Sequence, residues 1–345
     1  MRGKFFFCLN IAAITIFFTI ATPSVHTNTT FLTYYDTLAN NCDCSDEPPP
    51  KRKDPLSLYN LTPEEYKNLD LSKATLNSPD EYKRALAIRK IGQMTDRTFI
   101  LSIKEMLNDV SCLVRVEALK ACGYYTDEIL LSEMLKMTKD KSCQVREELA
   151  YQIGKYNNEQ IKNGLSELMN DRDPRVISMA TQYIGKFKDD KNIPRLLELI
   201  KHENPNVRMA AINSLSHYRD PNIGSELIKS LSDSSKNVRQ AAAYALMNFN
   251  DKIVVKSLLK ALEDSSDHVK LAAIESLTTI GDNSCIEPLL KLRKHPDPVI
   301  RQIAVRTLAV LGDNTVIKYL REALKDENKF VRAEAEKALA KKSHQ

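Results

Sequence analysis

Asn204-Pro205-Asn206-Val207-Arg208-Met209-Ala210-Ala211-Ile212-Asn213-Ser214-Leu215 decides how this chain is read. It opens on a side chain able to accept from an orphan helix N–H, and puts proline at the first helical position, where a missing N–H costs nothing. Val207, Ala211 and Leu215 then stand four residues apart on one helical face. The stretch recurs. With Val207 as anchor, a column at a period of 31 residues runs Lys83, Val114, Val145, Val176, Val207, Val238, Val269, Ile300 and Val331, without slippage.

Three residues before each anchor stand Asp80, Ser111, Ser142, Asp173, Asn204, Ser235, Ser266, Asp297 and Asn328, a column of expected N-caps. Gly92, Gly123, Gly154 and Gly185 are expected to end the first helix of the early units; Ser216, Met247, Thr278 and Ala309 replace them later. A large residue closes each turn (Met94, Tyr125, Tyr156, Phe187, Tyr218, Phe249, Ile280, Leu311). Two residues on, Asp96, Asp127, Asn158, Asp189, Asp220, Asp251, Asp282 and Asp313 read as caps of a second helix. Each unit is therefore helix, short turn, helix, and a loop usually carrying aspartate. Helices of roughly 10 to 13 residues are marginal alone in water, so their apolar stripes must be buried by stacking. The expected fold is all-α, a right-handed solenoid of about eight and a half two-helix repeats over residues 80–342.

The run from Val207 to Leu215, the turn Asp220-Pro221 and the Leu-rich helix after it resemble the HEAT-like repeat of the phycobilin-lyase type. The resemblance implies second helices lining a concave surface. Arg84, Arg115, Arg146, Arg208, Arg239, Arg301 and Arg332 follow the anchors, with Ile177 and Lys270 breaking the column; we expect these arginines to pair with the loop aspartates as a structural ladder.

Some proteins with such repeats are enzymes. Deoxyhypusine hydroxylase is similar in repeat pattern and holds two irons through His-Glu pairs just after the anchor. Here those places carry Ala85-Leu86, Val116-Glu117, Glu147-Glu148, Met209-Ala210, Gln240-Ala241 and Gln302-Ile303, so no iron site is expected. His202-Glu203 sits in a loop without a matching second pair, and His295, in the same loop column, is three repeats away. A bilin lyase conflicts with the exported reading below. A DNA glycosylase would need a basic concave face with aromatics; the tyrosines here fall mostly in the turn column and the chain has no Trp. Nucleophile elbows, phosphate loops, zinc helices and Cys-x-x-Cys pairs are missing from the sequence. No cofactor or metal is expected.

Arg2 and Lys4 precede an apolar run from Phe5 to Ile20, with small residues Thr19 and Ala21 behind it. Residues 1–21 read as a secretory signal peptide or, alternatively, an uncleaved N-terminal membrane anchor. Residues 22–55, ending in Pro48-Pro49-Pro50-Lys51-Arg52-Lys53, read as a linker without a core, and residues 56–79, with the capping box Thr62-Pro63-Glu64-Glu65, as a segment closing the first repeat. The expected location is the periplasm or cell envelope.

The net charge of +5 is too small and too scattered to imply nucleic acid. Seven cysteines do not suggest a disulfide framework: Cys122 and Cys285 fall in core columns, while Cys112 and Cys143 occupy equivalent places in adjacent repeats, roughly 9 to 10 Å apart and out of reach of each other. Cys42 and Cys44 could pair with each other or with another chain.

One outward column on the second helices runs Glu105, Lys136, Glu167, Glu198, Lys229, Lys260, Lys291 and Glu322. Lys229, Lys260 and Lys291, with Lys256, Lys294 and Lys318 beside them, form the candidate binding strip for an acidic protein or peptide segment; a solvated mixed-charge face is the bland alternative. The expected function is a non-enzymatic, exported interaction scaffold. A HEAT-repeat enzyme of the lyase or hydroxylase kind, or a passive spacer, stands as the alternative.

Overall fold

The computed structural model describes residues 68–342 except Thr126 and Asp313. The expected signal or anchor, the linker and the capping box at residues 62–65 lie outside the described residues. Every regular element described is helical, and helix pairs repeat along the chain as expected. A short helix α1 (Lys73–Leu76) packs on the first repeat and buries Leu76. First helices follow as α2 (Glu81–Met94), α4 (Cys112–Cys122), α6 (Cys143–Ile153), α8 (Pro174–Ile184), α10 (Pro205–Leu215), α12 (Lys236–Ala245), α14 (Asp267–Ile280), α16 (Pro298–Leu311) and the unpaired α18 (Lys329–Lys342). Second helices are α3 (Ile100–Met106), α5 (Glu128–Leu135), α7 (Glu159–Leu168), α9 (Ile193–Leu199), α11 (Pro221–Ser230), α13 (Lys252–Ala261), α15 (Ile286–Leu292) and α17 (Ile317–Ala323). We number the units one to nine by their first helices.

The anchors form the spine of the core. From Val114 to Ile300 all are 0% exposed and Val331 is 1% exposed. Ala180, Ala211, Ala242, Ala273, Ala304 and Ala335, four residues on, are equally enclosed, because first helices pack directly on first helices along the whole stack. Only Lys83, the anchor of unit one, is exposed, as befits a position with no full repeat before it.

Gly123, Gly154 and Gly185 end α4, α6 and α8 as expected, in right-handed geometry, and the early glycines also serve this approach. A Cβ on Gly92 would lie 2.8 Å from Ala121 Cα, and one on Gly185 2.8 Å from Ser214 Cα. Gly92 even lies inside α2, whose C-cap is Thr95 in the left-handed region.

The capping columns divide by chemistry. All seven described second-helix caps, from Asp96 to Asp282, accept a backbone N–H. In the first-helix column Asp80, Asp173, Asn204, Asp297 and Asn328 do so, but Ser111, Ser142, Ser235 and Ser266 do not. Each serine's own N–H instead donates to the loop aspartate two residues earlier: Asp109, Asp140, Asp233 or Asp264. The carboxylate fixes the loop from outside the cap.

Those aspartates also receive the arginine ladder. Arg84, Arg115, Arg146, Arg208, Arg239 and Arg301 each fork onto an aspartate of the loop that leads into the next unit: Asp109, Asp140, Asp171, Asp233, Asp264 and Asp326. The remaining Nη1 donates to a carbonyl of the arginine's own loop, as from Arg146 to Asp140 O at 2.6 Å. Two charge-assisted bonds per rung, both ends largely buried, hold neighbouring units in one register. Where the arginine is missing, so is the aspartate. Ile177 would face His202, and Lys270 meets His295 at 3.2 Å. Both histidines keep the aspartate's other task, their Nδ1 accepting from Asn204 N–H and Asp297 N–H.

Candidate functional site

The second helices end in loops held by this ladder, and their outward column is exposed from Glu105 to Glu322. Its two halves differ in pairing. Glu133 takes both Lys104 (3.0 Å) and Lys136 (2.8 Å), Lys139 reaches Glu167 at 3.6 Å, and Arg195 holds Glu198 at 2.8 Å. Glu226 takes Lys229 at 2.7 Å and Lys201 at 3.7 Å. These pairs hold Glu133 and Glu226 below the ordinary carboxylate range, Lys136 and Lys229 contributing most through hydrogen bonds.

Lys256, Lys260, Lys291, Lys294 and Lys318 are exposed, and none of them makes an ion pair among the described residues. Of the lysines expected to act together, Lys260 and Lys291 on α13 and α15 thus keep their charge open to solvent, with Lys256 and Lys318 beside them. Lys229 is already neutralised by Glu226 on its own helix. Arg293, on the same face, is paired to Glu322 and lies over the Tyr319 ring.

A second polar cluster, on the first helices, was not foreseen. Glu117, Glu148 and Gln152 are 1%, 3% and 3% exposed. Arg89 forks onto Glu117 at 2.8 and 3.0 Å, and Lys120 reaches the same carboxylate at 2.9 Å. Gln152 donates to Glu148 at 2.6 Å and accepts from Lys155 at 2.8 Å, whose ammonium sits 4.3 Å from the Tyr151 ring centre. Burial pushes the Glu117 carboxyl up, but Arg89 and Lys120 outweigh it and hold it below the usual range. Glu148 is raised by burial, and burial lifts Glu147 to about 7, partly offset by Arg175. The signal was in the columns: the place of Glu117 and Glu148 holds Ala210, Ala241 and Ala272 in later units. The rest of the column is Leu86, Met179 and Ile303, with a third carboxylate at Glu334 that Arg306, in the column of Arg89, forks onto in the same way.

The cysteines correct an expectation. Cys122 and Cys285 are free and buried as foreseen, but Cys112 and Cys143 are both disulfide-bonded. The spacing argument addressed only a bond between these two and left out a bond from each to another segment. Cys42 and Cys44 lie outside the described residues. No group of three or more His, Cys, Asp or Glu able to hold a metal occurs among the described residues, and no described helix is long and apolar enough to cross a membrane.

Stacked helix pairs bound by a repeating core column and an Arg–Asp ladder define an α-solenoid of two-helix repeats. The HEAT-repeat family matches residues 130–203, 163–246, 193–278, 224–297 and 255–340, and the chain belongs to it. Among solved structures, the Escherichia coli protein YibA is 19% identical, with a TM-score of 0.56, over 78% of this chain and 98% of that one. An engineered protein is 18% identical over 78% and 87% of the two chains, with a TM-score of 0.48. Human deoxyhypusine hydroxylase in complex with glycerol is 18% identical over 74% of this chain and 100% of its own, with a TM-score of 0.33. The likeness to YibA speaks to the fold alone. No curated protein matches the chain.

Proposed function

We propose that the chain is a non-enzymatic scaffold that binds an acidic protein or peptide segment along the second helices of units six to eight. The observation that carries this is the contrast in pairing. Lysines on the early part of the face are matched by Glu133, Glu167 and Glu226, whereas Lys256, Lys260, Lys291, Lys294 and Lys318 are exposed and make no ion pair among the described residues. Adjacent rungs are separated by about 10 Å, close to the Debye length of about 8 Å at physiological salt, so their fields add modestly and an extended acidic partner gains from contacting several. On the HEAT resemblance we take this face as the concave one, and we favour the phycobilin-lyase-type subclass on residues 207–221 without carrying lyase chemistry over.

Export to the cell envelope belongs to the same reading. Disulfides persist in oxidising compartments, and the bonded state of Cys112 and Cys143 supports one here. The apolar run from Phe5 to Ile20 supplies the signal or anchor.

The test is fluorescence anisotropy with a labelled glutamate-rich peptide and an uncharged peptide of equal length. Combined Lys256→Glu, Lys260→Glu and Lys291→Glu should weaken the acidic peptide about ten-fold or more at low salt. Exchanging the pair, Lys229→Glu with Glu226→Lys, should change little, because the two charges already cancel on one helix. Equal affinity of wild type and the triple variant, or of the two peptides for wild type, would remove the proposal.

A further inference from the structure

The three rungs that carry the open lysines differ from the others in charge as well as in pairing. Residues 252–263, 283–294 and 314–325, each a second helix with its flanks, carry a net charge of +2 apiece. The five corresponding stretches before them, from 97–108 to 221–232, lie between −1 and +1. Each positive rung presents two exposed lysines that make no ion pair among the described residues: Lys256 and Lys260 on α13, Lys291 and Lys294 at the end of α15, Lys318 and Lys325 at the two ends of α17. Lys260 and Lys291 stand 31 residues apart, as do Lys294 and Lys325, so these lysines repeat one place in neighbouring rungs.

A partner that meets this ladder must repeat its own charge at the spacing of the rungs, about 8 to 10 Å for helices packed side by side. Chain conformation decides which sequences can do so. In a β-strand, side chains on one face recur every second residue, at about 6.7 Å and then about 13 Å, out of step with the rungs. A polyproline II chain turns once in three residues with a rise of about 3.1 Å each, so every third side chain returns to one face after about 9.3 Å. An α-helix returns after seven residues and about 10.5 Å, but helical partners are held by an apolar face laid into an apolar groove. Ile253 is the one large apolar side chain exposed on α13, α15 and α17.

We propose that the partner is an acidic polyproline II segment with a carboxylate at every third residue, three successive carboxylates each meeting the lysine pair of one rung. This rests on the reading of the strip as a site for an acidic segment, and adds the partner's backbone conformation and charge spacing. A preformed polyproline II chain has little conformational freedom left to lose on binding. That counts here, because each exposed charge contact is weak and screened by salt.

Fluorescence anisotropy on the full chain at low salt tests it with two labelled nonapeptides of one composition. One is Glu-Pro-Pro repeated three times; the other has the same residues with its three glutamates adjacent. The first should bind about three-fold more tightly or better. Equal affinity of the two, both above an uncharged nonapeptide, would overturn the spacing and leave the acidic-segment reading standing. Binding of neither above the uncharged peptide would remove both. Register is read separately. Lys291→Glu with Lys294→Glu reverses the middle rung at exposed positions, leaves the core untouched, and should weaken the repeated peptide. Changing that peptide's middle glutamate to lysine should then restore binding about three-fold or more, whereas changing its first glutamate should not. Equal rescue by both changes would overturn the register. So would a single-stranded oligonucleotide that binds the wild type more tightly than either peptide and is lost with the same two substitutions, since the face would then be a general polyanion site.

Discussion

Units two to four and units six to eight share one period, one anchor column and one ladder, yet they use their faces in opposite ways. In the earlier units the first helices are closed: Glu117, Glu148, Gln144 and Gln152 are buried, and both cysteines are bonded. On the second helices of the same units, Glu133 and Glu167 are paired to lysines. In the later units the first helices present Asn237, His268 and Val299 to solvent, and the second helices present lysines that make no ion pair among the described residues. The anchor column sets the fold, and residues one to three positions away from it set what each half can meet.

The ladder supports both halves, so breaking it should give the largest effect. Arg146 and Asp171 are 6% and 7% exposed, and Arg146→Ala would leave that carboxylate enclosed without its partner. A loss of about 3 to 5 kcal/mol is expected from denaturant unfolding. Arg332 occupies the same column in the terminal half unit but, among the described residues, bonds only to the carbonyls of Asp326 and Glu327. Arg332→Ala should cost no more than about 1 kcal/mol. Equal losses would mean that the forks contribute little beyond the loop bonds.

Helix packing should give the next effect. A Cβ at Gly185 would meet Ser214 Cα at 2.8 Å, backbone that cannot swing away, so Gly185→Ala should lose about 1 to 3 kcal/mol. Gly224, on a second helix, meets only the Phe249 ring edge at 3.3 Å. There the gain in helix propensity, up to about 1 kcal/mol, offsets the crowding, and Gly224→Ala should be neutral or stabilising. Two thermal melts decide whether first helices are the more tightly stacked set.

Much of this was legible in the residues. A 31-residue period repeated without slippage leaves one architecture, and an anchor that faces the next unit must be apolar, so the fold follows from Val114 to Val331. The arginine ladder was legible because Arg208 and Asp233 recur together. Gly123, Gly154 and Gly185 end their helices as read and Gly92 does not; the part of Gly92 and Gly185 in close helix approach was not legible, because it depends on the neighbouring helix. The serines were misread as caps: Ser111, Ser142, Ser235 and Ser266 accept no helix N–H, whereas Asp173 and Asn328, whose own N–H groups donate to a loop aspartate in the same way, do. Lys229, Lys260 and Lys291 are exposed as an outward column should be, but which ammoniums are neutralised depends on neighbours such as Glu226 and Glu133 whose side-chain directions only the fold reveals. The buried carboxylates were passed over because each was judged as a metal ligand and not against the mostly apolar residues of its own column.

Glu147 sharpens the contrast between closed and open halves through pH. Its carboxyl titrates near 4.5 in the unfolded chain and about 7 in the fold, where burial raises it. The folded chain holds this proton more tightly, so its contribution is full below about pH 4 and is lost as pH rises through 7. Glu147→Gln should therefore stabilise the protein by about 2 kcal/mol near pH 8 and leave it unchanged near pH 4. A gain of equal size at both pH values would place its cause in packing and not in the charge.

The smallest expected effect lies at the ladder's gap, where one rung joins the two halves. Ile177 is 4% exposed and makes no ionic contact, and His202 stands where a loop aspartate would accept its partner. Ile177→Arg alone brings a guanidinium to a site without its carboxylate and removes an apolar core group, so it should destabilise. His202→Asp alone keeps the bond from Asn204 N–H, which His202 Nδ1 now accepts at 3.0 Å, and should be near neutral. Together they rebuild the fork seen between Arg208 and Asp233, and the double-mutant cycle should return a favourable coupling of about 1 kcal/mol or somewhat more. If the coupling is absent, the paired replacement of arginine and aspartate at this rung reflects a local backbone that no longer brings positions 177 and 202 into register. The ladder would then end at Asp171 and begin again at Arg208, dividing the solenoid where its faces change character.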